Sequence, residues 1–283
     1  MTARTATTER QKRLGYELRR MRTAAGVSAE FAAGLLGVDR GAISAMESGT
    51  RAISTERLRT LACNCEVTDE LYISGLMEMA QPAGRQWWDR YRGQLPQGLL
   101  DIAEMEARCV RMRGAYSIHM PGLLQTSDHA LALFRMVIPP LPEREVALRL
   151  ALRVERQRIL DGENAPAFVA VVHEAALRMQ FGGRAVLRAQ LDHLLNRSEQ
   201  DNVTMLVLPF DAGGFPGAGQ TVIYAEGPTA QLDTVQVDNS HGPDFLHAET
   251  QLSKYRAHFA LLESLALSAE ASRDFIRTIA SQL

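Results

Sequence analysis

The side chains that could do chemistry fall into a basic head and a few scattered groups elsewhere. Residues 1–60 carry eleven Arg and Lys against six Asp and Glu, a net +5, while the remainder carries twenty against twenty-seven, a net −7. A basic head on an acidic body steers one end of a molecule toward phosphate, although a charged stretch can equally be a solvated face. Three thiols, Cys63, Cys65 and Cys109, are too few for a disulfide framework. A Cys-x-Cys without two further ligands at matching spacing is a poor zinc site, so buried or idle thiols and no metal are expected. The seven His residues include no His-Glu-x-x-His pair, and the run Gly213-Gly214-Phe215-Pro216-Gly217 lacks the Lys-Ser/Thr of a phosphate loop, reading instead as a mobile loop. His173-Glu174 and Asp238, at the ends of strand-like runs, either share a cleft that handles a ligand or are ordinary polar residues there. Without a catalytic constellation, the expectation is a binding protein rather than an enzyme, with no cofactor.

A binding surface needs elements to hold it out. The 283 residues suggest two domains. No apolar run reaches the roughly 18 residues that a membrane helix needs. The opening MTARTATTERQKR has no apolar centre of the secretory kind, which with the few cysteines predicts a cytoplasmic location. Residues 9–25 place Leu14, Leu18 and Met21 at helical spacing, and Gly26 supplies a left-handed stop. Ser28 can cap a second helix ending at Gly37, and Asp39 a third running to Glu47 or Ser48. Two more helices are predicted over about 55–65 and 69–80. Five short helices with a tight turn between the second and third suit a small DNA-binding bundle, although helix pairs joined by glycine turns also occur in proteins that touch no DNA.

The run LGYELRRMRTAAGVSAEFAAGLLGVDRGAISAMESGTR resembles the repressor-like helix-turn-helix family of the xenobiotic-response-element type. Matching positions include Leu14, Leu18, Arg22, Gly26, Ser28, Ala33, Gly37, Ile43, Ser44, Glu47 and Gly49. The resemblance implies binding to double-stranded DNA, with the third helix in the major groove. On that helix Ile43 and Met46 point inward, which turns Arg40, Gly41, Ser44 and Ala45 outward. Arg40 is the one long donor of the set, able to meet guanine O6 and N7 or else a phosphate. Ser28 and Ala29, at the start of the second helix, and Arg51, past the third, are the expected phosphate contacts. Gly41 and Ala45 offer no side-chain hydrogen bond, so part of the site would be read by shape. In the related repressors Arg22 and Glu47 form a salt bridge, which is expected here as a partly buried pair. The sequence departs from the family at Ala29, usually Gln, and at Ala32, usually Leu. Its bulky residues in the second helix are Phe31 and Leu35, which the family pattern turns outward, so that they either dock on another surface or repack inward.

After a linker at 81–86, broken by Pro82 and Gly84, Trp87 and Trp88 are expected in packing roles. Residues 99–116, 126–136 and 142–160 read as helical, with Arg149, Arg153, Arg156 and Arg158 on a salt-bridged surface. The runs AFVAVVHE, NVTMLVLPF, TVIYAEG and DTVQVDN read as four strands, with a helix at 183–197 between the first two, and helices at about 243–265 and 268–281 close the chain. The fold class is therefore α+β overall: an all-α helix-turn-helix domain at 1–80 and an α+β domain at 87–283 with a small sheet packed by helices. The segments MPGLLQTSDHA, RVERQRIL, HEAALRMQFGG and NVTMLVLPFDAG resemble a large antitoxin-like domain of actinobacterial regulators. Here His129 stands where Tyr is usual and His173 where an acidic residue is usual. That resemblance implies a small protein partner encoded nearby. The expected function is a DNA-binding transcriptional regulator, most simply a homodimer, whose second domain senses a protein or a small ligand. The competing reading is an antitoxin-like protein that sequesters its neighbour and regulates its own gene.

Overall fold

A computed structural model describes residues 7–82, 84–217 and 219–283. Residues 1–6 of the opening segment and Ala83 of the expected linker lie outside the described residues. The chain divides into two compact units, one comprising residues through Arg90 together with Pro228–Leu232, the other Tyr91–Gly227 with Asp233–Leu283.

The first unit is helical: α1 (Glu9–Ala24), α2 (Ala29–Leu36), α3 (Arg40–Glu47), α4 (Thr55–Asn64) and α5 (Glu70–Ala80). Each helix starts at a short polar residue, Thr8, Ser28, Asp39, Ser54 and Asp69 in turn, whose side chain accepts a hydrogen bond from an otherwise orphaned backbone N–H. Such a cap contributes about 1 kcal/mol. Their inner faces supply one core, in which Leu14, Leu18, Met21, Ala32, Ile43 and Met46 meet Leu58, Leu61 and Leu76, with Leu232 joining them. Backbone meets backbone where α1 crosses the end of α3. A Cβ on Gly15 would lie 2.5 Å from the Glu47 carbonyl oxygen, and one on Gly49 (φ +73°) 2.6 Å from that of Gln11. Only glycine permits both approaches.

The second unit carries a six-stranded mixed sheet in the order β3-β2-β1-β4-β5-β6. Its elements in chain order are α6 (Gln97–Arg108), β1 (Arg111–Tyr116), α7 (Ser127–Arg135), α8 (Glu143–Gln157), β2 (Ala167–His173), α9 (Glu174–Arg178), α10 (Arg184–Arg197), β3 (Val203–Leu208), β4 (Val222–Glu226), β5 (Thr234–Asn239), β6 (Gly242–Leu246), α11 (Glu249–Leu265) and α12 (Ala269–Ser281). Strands β1, β2 and β3 run parallel, and β4, β5 and β6 extend the sheet in antiparallel pairs. Side chains alternate between two cores. Phe168, Ala170 and Val172 pack with Leu187 and Leu191 of α10 and Ile276 of α12, while Val171, Tyr224, Val235 and Val237 pack with Leu252 and Phe259 of α11.

Two stretches differ from their sequence reading. The helix expected over 99–116 stops at Arg108, and 111–116 forms the strand β1 inside the sheet. Its two arginines disguise it: Arg113 is stacked over the Tyr224 and Phe259 rings at 4.9 and 5.4 Å and so packs as an apolar stem would. The helix expected from 243 starts only at Glu249, because Gly242–Leu246 is the edge strand β6. It contains no β-branched residue and holds Pro243, a residue tolerated at sheet edges. The sheet therefore has six strands where four were expected. The salt-bridged surface expected for Arg149, Arg153, Arg156 and Arg158 holds only in part, with Arg158 exposed. Arg149 pairs with Glu145, but Arg156 and Glu106 are buried together, with bonds of 2.8 and 2.5 Å, and Arg153 lines a cavity. Trp88 is buried, with Trp87 edge-on at 5.3 Å.

Candidate nucleic-acid interface

Ser28 and Asp39 fix the starts of α2 and α3. The Ser28 hydroxyl accepts from the Phe31 N–H at 3.0 Å, and the Asp39 carboxylate from the Ala42 N–H at 2.8 Å. Between the helices Gly37 takes φ +62°, which closes the turn. Ala42, Ile43 and Met46 are buried behind α3. Arg40, Gly41 and Ser44 are exposed on its other side, and Ala45 is half-buried. Ala45 serves through its backbone: its carbonyl accepts from the Arg51 N–H at 3.0 Å and from the Thr50 hydroxyl at 3.1 Å, which folds the segment after α3 back onto it. The side chains of Arg40 and Arg51 are exposed and make no ion pair or hydrogen bond among the described residues. Ser28, at the start of α2, is exposed as well, whereas Ala29 is half-buried against the core.

The expected Arg22–Glu47 pair is present and bidentate, Nε to Oε1 at 2.5 Å and Nη2 to Oε2 at 3.1 Å, with both side chains 12% exposed. Arg22 also donates to the Val27 carbonyl at 2.8 Å, so one guanidinium joins the end of α1, the turn before α2 and the end of α3. The hydrogen bond to Glu47 raises the Arg22 pKa further above its ordinary value. In α2 it is Ala32, Ala33 and Leu36 that face inward, and Leu35 packs partly against the core. Phe31 does not turn in to fill the space left by Ala32; it stays 59% exposed.

A second polar cluster was not legible as such. Arg13 and Glu17, one helical turn apart on α1, are buried and lie 3.1 Å from each other. Glu17 accepts from the Tyr72 hydroxyl at 2.6 Å and from Arg20 at 2.8 Å, and Arg13 donates to the Gln231 carbonyl at 2.6 Å. Burial, together with the Glu17 carboxylate, pushes the Tyr72 phenol up. The i,i+4 spacing of Arg13 and Glu17 was a signal for pairing, but nothing in it distinguishes an exposed pair from a buried one. Gly15 also carried a signal, since a glycine inside a helix costs about 1 kcal/mol against Ala and calls for a packing reason.

The structure does not join His173, Glu174 and Asp238 in one cleft. The His173 ring accepts from the Ala175 N–H at 3.2 Å and is flanked by Phe210 and Phe215, the latter carried by the Gly-rich loop. Burial works against ionisation of Glu174, but the Phe210 N–H at 3.0 Å and Arg178 at 2.7 Å outweigh it and hold its carboxyl below the ordinary value. Asp238 lines a different cavity from His173. Cys63, Cys65 and Cys109 are free thiols, and burial pushes that of Cys109 up to about 12.

Comparison with protein families matches residues 13–72 to a helix-turn-helix domain and residues 99–278 to a domain of unknown function, DUF5753. No curated protein and no solved structure matches the chain. The first match spans the bundle from α1 into α5, including the exposed strip of α3. The second takes in the sheet and covers more than half of the chain, which therefore belongs to the DUF5753 family and carries a helix-turn-helix domain ahead of it.

Proposed function

We propose that this protein is a transcriptional regulator of the xenobiotic-response-element type that binds double-stranded DNA sequence-specifically through α2 and α3. The observation that carries the reading is the outer strip of α3, where an uncommitted Arg40 stands beside Gly41 and Ser44 on a helix locked from behind by Ile43, Met46 and the Arg22–Glu47 pair. A rigid helix with free polar groups at its N-terminal end suits the major groove, and the free N–H groups at the start of α2 suit a phosphate. Arg40 reads base edges, Arg51 and Ser28 hold the backbone, and the small residues Gly41 and Ala45 let the helix lie close while shape supplies part of the specificity. One module of this size contributes modest affinity, so the working form is a homodimer on a pseudo-palindromic site. The second unit receives the signal, a small ligand or a small partner protein, and the chain acts by binding rather than by catalysis.

Operator selection followed by salt-dependent binding tests the assignment. Arg40→Ala should cost about 1–3 kcal/mol on the selected site and relax its sequence preference. Arg51→Ala should weaken all sequences alike and reduce the salt slope by about one. Equal losses on selected and random DNA for Arg40→Ala would remove the base-reading role.

A further inference from the structure

The sheet face that carries Phe168 and Met205 is filled over β2 and β3 by α10 and α12. Toward β4 and β5 the same face is not filled. Ile223 and Gln236, paired across those strands, and Tyr116 at the end of β1 floor a cavity of about 510 Å³, within the size range of small-molecule sites. Its walls are apolar and only half-buried by the protein itself: Leu99 of α6, Leu133 and Phe134 of α7, Val137 just beyond, and Phe181.

Three arginines of α8 reach this cavity, and their pairing differs. Glu145 holds Arg149 at 2.6 Å and Glu106 holds Arg156 at 2.5 Å. Arg153 has no carboxylate: among the described residues its polar partner is the neutral Gln125 Oε1 at 2.5 Å, and its guanidinium lies over the Phe134 ring at 5.2 Å. Burial, with the repulsion of Arg156, lowers the Arg153 pKa to about 10, which still leaves it cationic near neutral pH. Glu106 and Asp238 attract it from a distance without bonding it; a desolvated guanidinium with no anion in direct contact is costly, and its planar fork matches a carboxylate. The single carboxylate of the lining, Asp238, is exposed and accepts from the Gln236 amide at 2.6 Å. A second negative charge on a ligand would face it, so the site favours a monoanion.

We propose that this cavity binds a small apolar monocarboxylate, its carboxylate paired with Arg153 and its hydrocarbon or aromatic body against Phe134, Phe181 and Leu99. The inference rests on the sensing half of the proposed function. Its test reads ligand binding without DNA, so failure at either end leaves the other distinguishable.

The full-length protein is melted and titrated calorimetrically with 4-phenylbutyrate, decanoate and indole-3-acetate at millimolar concentration, each beside its primary amide. At least one acid should raise Tm while its amide does not, and Arg153→Met should weaken that acid by about tenfold or more. Without ligand, Arg153→Met should melt no lower than the parent, because it removes an unpaired charge. Val137→Trp leaves Arg153 in place but adds bulk to the cavity lining and should also lose the response to acid. The proposal is overturned if acid and amide act alike, if no acid shifts Tm, or if the shift survives in Arg153→Met or Val137→Trp. A clearly lower Tm for unliganded Arg153→Met would also overturn it, by making Arg153 a structural clamp on Gln125.

Discussion

The outer strip of α3 and the inner side of α8 both present arginine, under opposite conditions. Arg40 and Arg51 stand in solvent, where an unpaired guanidinium costs nothing and remains available to a phosphate or a base. On α8, Arg156 is buried and has its own buried carboxylate, Glu106, while Arg153 lines a cavity with a neutral acceptor. His129 in α7 meets the same shortage of counter-charge differently. It is fully buried, and neither ring nitrogen has a hydrogen-bond partner among the described residues. Burial, with repulsion from His119 and Arg153, lowers its pKa to about 4, so it remains neutral. An imidazole can give up its proton near neutral pH and a guanidinium cannot. Solvation thus decides whether a basic residue stays free, is tied into a pair or is held neutral.

The sharpest way to break this contrast is to remove Glu106. Glu106→Ala leaves Arg156 buried and uncompensated and should destabilise the second unit by about 3–5 kcal/mol in chemical denaturation. A loss below 1 kcal/mol, the range of exposed pairs, would mean that solvent reaches Arg156. Next comes the half-buried pair behind α3. Glu47→Ala should cost about 2–4 kcal/mol and release the end of α3 from α1, reducing DNA binding without touching the exposed strip. Retained stability and binding would show that the Gly15 and Gly49 crossing suffices to hold α3.

The pH response is the smallest of the three effects. The folded-state pKa of His129 lies below its unfolded value of about 6.5, so between there and about 4 the unfolded chain binds the extra proton. Its contribution is fully present above pH 6.5 and is lost as pH falls toward 4, on the order of 2–3 kcal/mol. His119, His173, His193 and His258 are held down by burial as well and add to the same slope. His129→Phe should flatten that slope in urea titrations at stepped pH. An unchanged slope would move the effect to the other four.

Much of the first unit could be read from its residues, because helix caps and apolar spacing are local signals. Ser28, Asp39, Gly26 and Gly37 punctuate α1 to α3 where the spacing of Leu14, Leu18, Ile43 and Met46 requires it. The strands β2 to β5 were legible for the same reason, as β-branched runs between turn residues. Strand β1 was not, since RMRGAY reads as the tail of a helix until Tyr224 and Phe259 are placed beneath Arg113. The edge strand β6 was hidden by the absence of β-branched residues.

The sequence by itself determined the order of the helices, the caps that start them and, Ala45 apart, the outward set on α3, because each depends on residues a few positions apart. Tertiary structure alone decided which charges lose their water. Arg153 and Arg156 are three residues apart on one helix, yet only Arg156 meets Glu106, which lies 50 positions away in the chain. Desolvation depends on what packs around a side chain in space, and helical spacing carries no record of that.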